Sequence, residues 1–67
     1  MDKHEALNNV RLASMALSMT QPHHTGYTVA RFRAANVALV LAQLAAATAG
    51  ASSREINWAA EWNGVAV

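Results

Sequence analysis

The side chains in this 67-residue sequence that can do chemistry are few and scattered. Three histidines, His4, His23 and His24, are the candidate metal ligands. Metal sites on helices pair their ligands at i, i+3 or i+4, as in a Glu-x-x-His motif, and no such pair occurs here. His4 and the His23–His24 pair stand at opposite ends of the first apolar segment, about 24 Å apart at the rise of an α-helix. They could meet only across an antiparallel interface between chains. The four carboxylates, Asp2, Glu5, Glu55 and Glu61, fall near helix ends rather than in one pocket. The chain has no cysteine, which removes thiol nucleophiles, disulfides and thiolate zinc sites. No Ser–His–Asp arrangement is apparent. A chain this short also lacks room for a conventional cleft of roughly 300 Å3 or more, unless copies build one together. The expectation is no catalytic residue, no metal and no cofactor: not an enzyme.

One segment has the makings of an anion site. His23, His24, Thr25 and Tyr27 precede a predicted helix whose first turns carry Arg31 and Arg33. A helix N-terminus offers free N–H groups and the positive end of the helix dipole, which suit phosphate or carboxylate. The weakness is angular. Two residues apart on a helix, Arg31 and Arg33 diverge by about 200° and cannot clamp one anion. A nucleotide-like anionic ligand at this loop is therefore the second reading of function.

The first reading rests on Trp58 and Trp62, four residues apart on one face of a short terminal helix; Ile56 of the same helix is counted with them as a partner-binding residue. Tryptophans dominate protein–protein hot spots because they bury much area at small entropic cost. The bland account is that one or both seal this domain's own core.

Three helices must position these groups. Residues 2–19 contain no Gly or Pro, with Asp2 as N-cap and Glu5 three places on. Pro22 and Gly26 mark a break. A second helix spans about 27–49 and meets Gly50 at its C-cap. Ser52 and Glu55 then form a capping box that opens a third helix over about 53–62, stopped by Asn63-Gly64 and followed by the apolar Val65, Ala66 and Val67. The pattern reads as an antiparallel helical hairpin with the short third helix turning back across its open end, one all-α domain over residues 1–67.

The faces of those helices carry the functional argument. The second helix shows a bulky stripe, Val37, Val40, Leu41 and Leu44, and a separate alanine seam, Ala35, Ala38, Ala42, Ala45 and Ala49. The seam's steps of three and four match coiled-coil spacing, and alanine permits close backbone approach. That seam is the expected oligomer interface. Asn36 and Gln43 occupy a third face beside Phe32 and Leu39, where buried amides would fix register. The first helix is also two-faced: Leu7, Val10, Ser14 and Leu17 on one side, Leu12, Met15 and Met19 on the other. A lone hairpin plus one short helix cannot shelter so many apolar faces.

Composition agrees. Apolar residues make up 54% of the chain and charged ones 13%, about half the usual charged share. Without disulfides, a domain this small gains stability most readily by self-association. A net charge of +1, with five basic residues spread over several faces, disfavours nucleic acid as a partner. No charge occurs from Ala34 to Ser53, which is membrane-span length. Asn36, Gln43, Thr48, Gly50, the serine pair and the predominance of alanine argue against a membrane. The N-terminus lacks the basic-then-apolar build of a secretory signal, so a cytoplasmic location is expected. The overall expectation is a homo-oligomeric helical bundle, dimer or higher. It would act by protein–protein interaction, as an inhibitor or adaptor on a larger protein, a build frequent among small viral regulators.

Overall fold

Each helix begins where a side chain satisfies backbone N–H groups that the helix itself leaves unpaired. The computed structural model describes residues 2–65, with side chains through Glu61. Among the described residues there are three helices and no strand: α1 (Lys3–Ser18), α2 (Val29–Thr48) and α3 (Ser53–Val65). The Asp2 carboxylate accepts from the Glu5 N–H at 2.7 Å and starts α1. Thr28 does the same for α2, accepting from the Arg31 N–H at 3.0 Å. The Tyr27 and Phe32 rings, 6.2 Å apart, flank that cap as a hydrophobic staple. At α3 the box is reciprocal. Ser52 Oγ accepts from the Glu55 N–H at 3.2 Å, while Glu55 Oε1 accepts from the Ser52 N–H at 2.9 Å.

The end of α2 is as well defined as its start. Gly50 has a φ of +97°, the Ala51 N–H reaches the Ala46 carbonyl at 3.0 Å, and the Gly50 N–H reaches that of Ala47 at 3.1 Å. Those two bonds make a Schellman motif and turn the chain sharply into α3. α3 outruns its expected end. Asn63-Gly64 predicts a stop after Trp62, yet the helix continues to Val65. One glycine in a last turn costs about 1 kcal/mol, too little to force a break. The remaining apolar tail, Ala66 and Val67, lies outside the described residues.

The core is small and made of small side chains. Ala6, Val10 and Ala46 are fully buried and Ala59 nearly so, with Leu7, Leu39, Ala42, Ala49, Ala51, Ile56 and Ala60 packed around them. Ala6 near the start of α1 meets Ala46 near the end of α2, so these helices are antiparallel as the sequence implies. α3 departs from expectation. Lys3 pairs with Glu55 at 3.1 Å, and Ser14 donates to the Ala60 carbonyl, so α3 runs along α1 in the same sense rather than across the hairpin's open end. α1 thus holds both other helices, which touch each other little. The consequence for α2 is that α1 is its main neighbour.

Candidate interaction surfaces

α2 is apolar almost all round, and its main neighbour, α1, takes one side of it. Phe32, Asn36, Leu39 and Gln43 are half-buried and Ala46 is buried, all within one broad arc of the helical wheel. Asn36 spends its amide on its own helix, donating to the Phe32 carbonyl at 3.2 Å. The bulky stripe lies opposite. Val37, Val40, Leu41 and Leu44, with Val29, are 53% to 60% exposed. A second apolar row stands open on the outside of α1, where Leu12 and Met15 are exposed and Met19 is 69% exposed. Both rows belong to helices that satisfy their own backbone, so what remains unsatisfied is apolar area.

The alanine seam is divided by this arrangement. Ala35, Ala42 and Ala49 are half-buried, and Ala42 and Ala49 border the core; Ala38 and Ala45 are exposed. The most exposed apolar surface on α2 is therefore its bulky stripe.

A groove of about 460 Å3 opens between α1 and α3, lined by His4, Leu7, Asn8, Arg11, Trp58 and Ala59. It exceeds the room expected of so short a chain, because α3 lies beside α1 and leaves a furrow along their seam. Trp58 stands 57% exposed at this groove, while Ile56 on the same helix packs against the core. The side chain of Trp62 lies outside the described residues. Arg11 is held at the groove by its own helix, donating to Asn8 Oδ1 at 2.8 Å and to Met15 Sδ at 3.5 Å.

The loop before α2 brings its candidate residues together only in part. The His23 and His24 rings lie 4.5 Å apart and exposed. Tyr27 is engaged with Phe32. Arg31 folds back to donate to the Gly26 carbonyl at 3.2 Å, and Arg33 projects from another side of the helix. Among the described residues, no three His, Asp or Glu side chains gather as a metal site would require. One titration is displaced. Hydrogen bonds from the Ser52 backbone and from Lys3 hold the Glu55 carboxyl below its ordinary range. The pair is structural: it fastens the start of α3 to the start of α1.

By length and composition α2 is apolar enough to cross a membrane. α1, packed along it, carries Asn8, Asn9 and Arg11 in its middle.

This fold and these surfaces define an all-α three-helix domain with two open apolar rows and one aromatic groove. No protein-family model, curated protein or solved structure matches this chain. Sequence reasoning missed the Thr28 cap and the Tyr27–Phe32 staple. Their signal was present in the spacing, an aromatic directly before a threonine and another five residues on.

Proposed function

We propose that this chain is a small helical interaction protein that assembles with itself and docks on a larger protein, as an inhibitor or adaptor, in the cytoplasm. One observation carries the reading: the two outer rows, Val29, Val37, Val40, Leu41 and Leu44 on α2 and Leu12, Met15 and Met19 on α1, stay open while the buried core consists of three alanines and a valine. A chain of this size does not keep so many bulky apolar groups in water without a partner to cover them. The groove at Trp58 supplies the docking feature, an exposed aromatic beside apolar walls with His4, Asn8 and Arg11 at its rim.

The anionic-ligand reading has less behind it. Arg31 is occupied by the Gly26 carbonyl, the Arg31 N–H by Thr28, and Tyr27 by Phe32. Catalysis has no support from paired groups in the groove.

Light scattering tests the first half of the proposal, with an assembled mass at micromolar concentration as the expected result. Trp58→Ala tests the second. It should abolish capture of the partner while leaving the assembled mass unchanged. A stable, well-folded single chain defeats the assembly reading, and undiminished capture by the variant defeats the docking face.

A further inference from the structure

Resting on the self-assembly reading above, we propose that the outer stripe of α2 is the self-association face, meeting the same stripe of a second copy in antiparallel sense about a two-fold axis near Val40 and Leu41. The stripe has the right spacing. Arg33, Val37, Val40, Leu44 and Ala47 follow steps of four, three, four and three, the repeat that keeps one seam of a helix against a partner helix. It also has enough area. Its half-exposed valines and leucines, with the alanines and arginine stem beside them, amount to roughly 500 Å2 per copy, so two copies would bury about 1,000 Å2, the threshold of a specific interface.

Charge chooses both the partner and the direction. From Ala34 to Ser53 the chain has no charge, so beyond Arg33 this face has nothing to pair with a charged partner surface and nothing to repel its own copy. At its ends α2 is electrostatically backward. Arg31 and Arg33 sit in the first turns, at the positive end of the dipole; no acidic residue accompanies them, and the last turn has no basic residue. Arg31 is taken up by Gly26, but Arg33 lies on the exposed stripe. An antiparallel copy places Arg33 beside Thr48, at the partner's negative C-terminal end, and the symmetry does this twice. A parallel copy would set the two Arg33 side chains together.

Leu44→Glu in the full chain tests the face, because Leu44 is exposed and the variant should keep its helical spectrum while its mass falls to that of one chain. Leu12→Glu is the control and should leave the mass unchanged. The absence of cysteine makes the direction testable by oxidation. A mixture of Val37→Cys and Leu44→Cys chains should cross-link, and neither variant alone should. If Leu44→Glu stays assembled, or Leu12→Glu dissociates instead, the face is wrong although self-assembly stands. If Val37→Cys cross-links by itself, the direction is wrong. If the unmodified chain is a single copy, the assembly reading falls with it; binding of that single copy to anionic vesicles, lost in Leu44→Glu, would assign the stripe to a lipid surface instead.

Discussion

The hydroxyl of Ser14, midway along α1, donates to the backbone carbonyl of Ala60 on α3. Like the Lys3–Glu55 ion pair it is a polar link between these helices, and together they fix how far α3 can slide along α1. Removing it with Ser14→Ala should cost about 1 kcal/mol for the lost bond, offset by up to about 0.5 kcal/mol from alanine's higher helix propensity. Urea unfolding should therefore show a net loss below 1 kcal/mol. A gain in stability would show that the bond contributes less than alanine's higher helix propensity.

The alanines of the core set the distance between helices. Ala46 is fully buried and Ala45, its neighbour in sequence, is exposed. Ala46→Leu should cost about 1–3 kcal/mol by overpacking, while Ala45→Leu stays within about 0.5 kcal/mol. Equal effects in thermal unfolding would contradict the placement of α2 on α1.

The turn between α2 and α3 depends on a backbone conformation that glycine adopts freely. A Cβ at Gly50 would meet nothing within 4 Å, so Gly50→Ala is opposed by torsion alone. The expected cost is about 1–2 kcal/mol. Gly50→Asn, which tolerates left-handed geometry better, should lose less in the same unfolding assay.

Glu55 predicts the direction of the pH response. Its folded carboxyl is held below the ordinary glutamate range by Ser52 and Lys3. The ionised form is therefore favoured by folding, and its contribution is whole above that ordinary range. It is lost as pH falls beneath it, through the lowered folded value. Thermal unfolding midpoints should drop over that acidic window. Glu55→Gln keeps a carbonyl for the Ser52 N–H, so it should flatten this part of the profile at a small cost in stability.

The helices and their caps were largely legible because capping is local chemistry. Asp2, Ser52 with Glu55, and Gly50 each do what their spacing implies. The orientation of α2 was not legible. A helix with valine and leucine on one side, alanine on another and Phe32 with Leu39 on a third gives periodicity no single answer. The structure turns the third of these toward α1. The position of α3 was hidden for a related reason: Ser14 reads as an interruption in an apolar stripe, and its bond to Ala60 appears only once both helices are in place. For the candidate site, Trp58 is exposed, whereas Ile56 is drawn into packing that the short third segment did not disclose.

The middle position of α1 has a consequence for how the protein is made. Of the three helices, the one the other two require is made before them, and a 16-residue helix is marginal by itself in water. Its second supporting surface belongs to α3, which follows both other helices in the chain. α3 must therefore have emerged before the domain can close, and a chain cut after α2 would leave the side of α1 that meets α3 uncovered.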